Sequence, residues 1–274
     1  VPSSFKIISI VILGLAAAPG SAHATLIGSW NFAGGTPLVD STGNFGTLQL
    51  NGSATVANGA LNVSGSGTST TGWAETTGYS GPSISSKTMV AWGTLTGLQS
   101  SAFAGAMMSI SALDRDQFDA IDYGEQIANT WINGSSYFSR TQTFSPGYTE
   151  TAANLNQLFE IAITYNFLGN GSEQITGYIN GISIGSYTTG NAATWTAGDT
   201  VVGFGPRAIQ PGNVPYGGID ATVDAAQLYN TALTQVQIQA LQQPGTAVPE
   251  PTTLSLMGAG LFGLWRVRRR KRIA

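Results

Sequence analysis

Apolar and polar positions alternate with a period of two through the middle of the chain. In residues 158–165 the side chains of Phe159, Ile161, Ile163 and Tyr165 share one face, the pattern of a half-buried β-strand. Two further runs, 174–179 and 182–187, flank Asn180-Gly181, a dipeptide suited to the two positive φ angles of a type I′ hairpin turn. Asn-Gly occurs five times, at Asn51, Asn58, Asn133, Asn170 and Asn180, and that density fits short antiparallel strands. The pattern predicts more strands at 26–32, 47–50, 60–63, 88–95, 106–110, 118–123, 137–141, 200–204 and 219–229. Only one internal helix is predicted, at 234–242. There Thr234 and Gln237 have capping-box spacing, Leu233 and Ile238 can staple across the cap, and Pro244-Gly245 stops the helix. The expected domain is an all-β antiparallel sandwich with a short helix on its C-terminal side.

The two ends break this alternation. Lys6, the apolar run 7–18 and the small-x-small sequence Ala22-His23-Ala24 predict a secretory signal peptide over 1–24, cleaved after Ala24. At the other end, a linker over 244–251 closes on Pro249-Glu250-Pro251, which cannot join a helix or a sheet ladder. An apolar segment, 252–265, follows, and then Arg266, Arg268, Arg269, Arg270, Lys271 and Arg272. The apolar segment can enter a bilayer as a helix, while the basic residues hold the end on the cytoplasmic side. Residues 252–274 are thus expected to form a membrane helix with a basic tail. Fourteen residues of helix span ~21 Å against a hydrocarbon core of ~30 Å. Gly258, Gly260 and Gly263 weaken it further. Such a span suits a segment held until processing better than a permanent anchor.

This order of Pro-Glu-Pro, apolar segment and basic tail resembles the PEP-CTERM sorting signal of Gram-negative bacteria that make exopolysaccharide. The resemblance implies secretion across the inner membrane and transient membrane anchoring. It also implies a processing enzyme, an exosortase, as partner, and a destination at the cell surface or in the extracellular matrix.

Between the ends, residues 25–243 make one medium-sized domain. Four basic residues (Lys87, Arg115, Arg140, Arg207) face thirteen acids, a net charge of −9, which is unsuited to a phosphate backbone and excludes nucleic acid as partner. The chain has no cysteine, and its one histidine, His23, belongs to the signal peptide. That excludes thiolate nucleophiles, Ser-His-Asp hydrolysis and His-ligated zinc in the mature domain. No cofactor is required; any metal is expected to be a hard cation on oxygen ligands, a structural Ca²⁺.

Three stretches resemble the laminin-G-like, concanavalin A-like jelly roll family. They are Trp30-Asn31-Phe32 with Asp40-Ser41-Thr42-Gly43-Asn44, then Ile161 to Tyr165 with Tyr178-Ile179-Asn180-Gly181, and last Val223-Asp224 through Leu228-Tyr229-Asn230 to Leu233-Thr234. Where the family often carries a Trp-His-His entry to its central strand, this chain has Leu158-Phe159-Glu160. The resemblance implies a two-sheet antiparallel jelly roll sandwich that binds carbohydrate or protein and sometimes holds Ca²⁺. The same fold hosts glycoside hydrolases, so it does not decide function.

Five acids, Asp114, Asp116, Asp119, Asp122 and Glu125, cluster around Arg115. Three readings stay open: a solvated strand edge and loop, a Ca²⁺ site beginning at Asp114 and Asp116, or a retaining-glycosidase pair. Asp40 and Asp224 form a second Ca²⁺ candidate, since pairing of the first and last strands can bring them together; the other reading is Asp40 in an Asx-turn and Asp224 as a backbone-bonded structural carboxylate. Ligand-facing aromatics are sought in turn-rich segments, with Tyr123, Trp131 and Tyr137 as candidates beside Trp73, Tyr79, Tyr148 and Tyr216. Trp30, Trp92 and Tyr165 fall in strand patterns and read as core. The expectation is a secreted, non-catalytic binding module associated with extracellular polysaccharide. A structural or adhesive matrix protein and an extracellular glycosidase are the alternatives.

Overall fold

The computed structural model describes residues 24–99, 102–241 and 243. The predicted signal peptide, the Pro-Glu-Pro linker and the apolar segment with its basic tail lie outside them, apart from Ala24. The described chain is all-β. In order its strands are β1 (Leu26–Asn31), β2 (Leu48–Gly52), β3 (Thr55–Ala57), β4 (Ala60–Ser66), β5 (Ser69–Thr76), β6 (Lys87–Leu95), β7 (Ala106–Ala112) and β8 (Gln117–Tyr123). There follow β9 (Trp131–Ser135), β10 (Phe159–Gly169), β11 (Ser172–Ile179), β12 (Ile182–Thr189), β13 (Thr200–Gly205), β14 (Ala208–Gln210), β15 (Val214–Tyr216) and β16 (Ala221–Tyr229). One helix, α1 (Gln235–Gln239), closes the order.

The strands form two curled antiparallel layers. The first runs β12-β11-β10-β6-β16, with β1 and β4 sharing the far edge of β16. The second runs β5-β13-β7-β8-β9, with β2 also on β5. Strand β4 joins them: Leu61 and Val63 pair with β16, whereas Ser64 to Ser66 pair with β5. The crossing point is Gly65, where a Cβ would lie 2.8 Å from the Gly218 Cα, so only glycine lets the backbones approach this closely. A separate hairpin, β14-β15, lies against β7 and β8.

Strand alternation decides what lies between the layers. Met89, Ala91, Ile161, Ile163 and Leu228 of the first layer meet Ile110, Ile121, Tyr123 and Val202 of the second in one core. Val90, Trp92, Ala162, Tyr178 and Ala225 point the other way and are covered by Leu233 and Ile238 at α1. Ala106, Phe118 and Ala120 point outward from the second layer and meet Ala208 of the hairpin. The Thr234–Gln237 capping box is present, with Gln237 N–H donating to Thr234 Oγ1 at 3.3 Å.

One local expectation is corrected, and one Asn-Gly pair lies inside a strand. Residues 137–141 are not a strand. Ser136–Phe138 form a 3₁₀ turn in which Tyr137 and Phe138 have φ of 51° and 55°. Asn133-Gly134 is not a hairpin turn but the middle of β9. The Asn133 side chain is held inside by Tyr165 and the Arg140 carbonyl. At Gly134, a Cβ would come within 2.6 Å of Asp122 Oδ2.

Candidate functional site

Strand β8 carries acids on both faces, and each face builds a different site. Asp119 points between the layers, where it is fully buried. Lys87 Nζ donates to its Oδ2 at 2.6 Å and Arg140 Nε to its Oδ1 at 2.9 Å. Glu173 on β11 lies 3.6 Å from Arg140, and the Lys87 ammonium sits 3.6 Å over the Tyr165 ring and 4.0 Å over the Trp195 ring. Burial pushes Glu173 up to about 7, reinforced by the charge on Asp119 and opposed by Lys87 and Arg140. Burial also lowers the Lys87 ammonium, while Asp119 and Glu173 hold it up. The network is closed to solvent and spans both layers. Its chemistry is that of a brace.

Asp122, three residues on, points outward under the β14-β15 hairpin, together with Glu125 from the following loop. Arg207, between β13 and β14, forms an ion pair with Glu125. Four rings gather on its guanidinium: Phe103 and Tyr216 at 4.9 Å, Phe118 at 5.4 Å and Phe138 at 5.9 Å. Such contacts are favourable because the ring face is electron-rich. Asp122 Oδ2 is buried without a hydrogen-bond partner. Burial pushes its carboxyl up to about 8, against the pull of Arg207. At the rim, Tyr137 is 82% exposed, and a hydrogen bond to Asp116 raises its phenol above the ordinary value.

The backbone that presents these rings is unusual. Ala102, Phe103, Tyr137 and Phe138 all have positive φ, between 51° and 76°. That region is costly for a residue with a bulky side chain, and such strain clusters at binding sites. Here it brings Phe103 within 6.2 Å of Phe138 and 6.0 Å of Tyr216. The result is an aromatic platform with a cation beneath it and carboxylates beside it.

The other predicted residues fall elsewhere. Tyr123 and Trp131 are 0% exposed and stack on each other at 4.7 Å inside the core, so the expectation that they face a ligand is corrected. Both sit at inward positions of their strands, and the Trp131 indole N–H donates to buried Glu150 at 2.8 Å. Tyr79 is buried as well. Trp73, Tyr148 and Tyr216 are half-buried, and of these only Tyr216 joins the platform.

The acidic cluster is not a solvated edge. Asp119, Asp122 and Glu125 are buried. Asp114 is exposed and paired with Arg115 at 2.6 Å; Asp116 serves Tyr137. The Asp40 carboxylate accepts from the backbone N–H groups of Ser29, Thr42, Asn44 and Phe45 and from the Thr42 hydroxyl. These donors take the positions a cation would need, and Asp224, on the paired last strand, is not among its partners. Among the described residues no three acidic side chains are grouped to hold a metal ion.

Comparison with known proteins adds two findings. Residues 247–271 match the model of the PEP-CTERM protein-sorting motif. The chain carries a PEP-CTERM sorting signal. That signal implies exosortase-dependent export and is typical of proteins sorted to the surface of Gram-negative bacteria. The described domain resembles domain 4 of AbnA, a GH43 extracellular arabinanase from Geobacillus stearothermophilus, solved in complex with arabinotriose. The TM-score is 0.50 at 19% identity, covering 80% of this chain and 99% of that one. It also resembles the binding domain of botulinum neurotoxin DC in complex with SialylT (TM-score 0.51, 14% identity, 78% of this chain). A structure of botulinum neurotoxin type C, whose cell entry depends on two ganglioside molecules, is similar at TM-score 0.51 and 13% identity over 78% of this chain. This chain spans 50% of each toxin chain. These likenesses establish a β-sandwich of jelly-roll type. No curated protein matches the chain.

Proposed function

We propose that this PEP-CTERM chain is an exported, non-catalytic glycan-binding domain that holds extracellular polysaccharide on the aromatic platform around Arg207. The observation that carries the reading is the platform itself. Tyr137 and Phe138 are exposed and Phe103 and Tyr216 half-buried; ring faces beside polar and charged groups are what the C–H faces and hydroxyls of a sugar require, and the backbone is strained at Phe103, Tyr137 and Phe138. The sandwich domain of the arabinanase, solved with a trisaccharide, supports the same reading by likeness of fold.

The carboxylates support a binding role over hydrolysis. A retaining glycosidase needs an acid and a nucleophile roughly 5 Å apart on either side of the bond to be cut. In this domain Asp119 is enclosed between the layers, Asp122 lies under Arg207, Glu125 is held in its ion pair, and Asp116 is engaged by Tyr137. In this reading the domain needs no cofactor or Ca²⁺.

The test is retention of the full secreted protein on a glycan array. Retention on polysaccharide that weakens about tenfold in Tyr137→Ala, with an unchanged unfolding transition, supports the proposal; an exposed aromatic contributes to binding with little effect on stability. Absence of retention on every glycan, with self-association instead, favours a structural matrix role.

A further inference from the structure

A second concave site lies on the far side of the sandwich. Trp92 on β6 and Glu160 on β10 are cross-strand partners, and both point outward, since Ala91 and Ile161 beside them point into the core. Together with Leu158, Phe159, Asn180 and Gln239 they line a groove of about 320 Å³, within the range of roughly 300–1,000 Å³ typical of small-molecule sites.

The groove presents unused bonding capacity. The Trp92 indole N–H and the Gly181 backbone N–H favour the ionised Glu160 carboxylate, yet its Oε1 is buried with no hydrogen-bond partner. Leaving such an oxygen unsatisfied is costly, and the half-buried Glu160 side chain lines the groove. Asn180 accepts from Glu160 N–H through Oδ1 at 2.8 Å, which leaves its amide N–H₂ as a donor. Gln239 Nε2 donates to the Gly181 carbonyl at 3.1 Å, which leaves its Oε1 as an acceptor. Leu158, 57% exposed, and Trp92 supply an apolar wall. Burial pushes Glu160 up to about 7, so near neutrality the group is often protonated and holds a cation poorly. A hydroxyl can donate to the ionised form or accept from the protonated one, which favours a neutral polyhydroxy ligand over an amine.

We propose that this groove is a second sugar-binding site, so that a single domain bridges two polysaccharide strands. The proposal rests on the glycan-binding reading of the platform. The geometry excludes one short oligosaccharide filling both sites, because the platform covers the outward side of β8 and the groove lies on the outward side of β6 and β10. Both layers and the core stand between them.

The experiment uses the full secreted protein, confirmed monomeric by sedimentation, mixed with exopolysaccharide purified from the producing cells. Retention and precipitation of the polysaccharide are both measured. The groove variant is Leu158→Asp with Gln239→Ala, both exposed positions; the platform variant is Tyr137→Ala with Phe138→Ala. The expected result is that wild type precipitates the polysaccharide. Each variant alone retains it roughly tenfold more weakly, reflecting lost avidity, and precipitates none, while the combination loses retention. If the groove variant precipitates like wild type, or the platform variant alone abolishes retention, the second site is overturned and the platform reading stands. If wild type shows no retention, the platform reading and the second site fall together.

Discussion

Asp119 and Asp122 sit three residues apart on β8 and have opposite fates. Asp119 faces the core and shares two cations, Lys87 and Arg140, with Glu173. Charges balance two against two, and water is excluded. Asp122 faces outward and shares one cation, Arg207, with Glu125. That cation is covered by rings rather than by strands. A buried balanced network can fix the register of two layers, because breaking it leaves charge stranded. An acid-rich network under a strained aromatic rim is a poor brace but a serviceable surface. The same short acidic stretch supplies both, and the strand's alternation decides which acid goes where.

The sharpest way to break this contrast is Asp119→Asn. It leaves Lys87 and Arg140 buried with less counter-charge, and a loss of about 3–5 kcal/mol is expected by urea unfolding. A loss below about 1 kcal/mol would show that the interior network is wet. Arg207→Ala should cost less, roughly 2–3 kcal/mol, by stranding Glu125, and it should weaken glycan retention about tenfold, because the rings lose their common support while the groove still binds. If retention is undiminished despite the stability loss, the platform is not the site.

A third, smaller effect is pH-dependent. Asp122 is held at about 8 when folded against an ordinary 3.8, so the folded state keeps a proton that the unfolded state loses. Stability from this group is fully present below about pH 4 and is lost as pH rises through about 8. Asp122→Asn should therefore raise Tm relative to wild type at pH 9 and change it little at pH 3.5. The smallest expected effect is that of chelation. Asp40 and the β8 acids are served by backbone donors or by Lys and Arg, so EDTA should leave Tm unchanged; a fall of several degrees would reveal a bound cation.

Much of the framework is legible in the sequence. Alternation at 159–165, the Asn180-Gly181 turn and the Thr234–Gln237 cap all carry local physics that the tertiary structure preserves. The layers themselves follow from the opening and closing strands, which pair as the jelly roll resemblance implies. Strand β5, rich in Ser, Thr and Gly, has too few apolar positions to announce itself, and β9 is disguised by its Asn-Gly. At 137–141 the apolar content suggests a strand, whereas the aromatics sit in a left-handed turn. Buried charge is harder to read from a sequence, yet it leaves a signal here. In a domain with only four basic residues, each one pairs with an acid from 114–125: Lys87 and Arg140 with Asp119, Arg115 with Asp114, Arg207 with Glu125. Scarcity of cations is itself a hint that they are reserved for partners.

Strand β16 gives the domain a mechanical character. It is flanked along its length by β6 on one side and by β1 and β4 on the other, and among the described residues it is the last strand. A pull along the axis of β16 acts across hydrogen bonds that stand perpendicular to it. Both rows must then shear together instead of unzipping one bond at a time. A polymer tugging on the aromatic platform would therefore be resisted by the middle of the first layer and not by one of its edges.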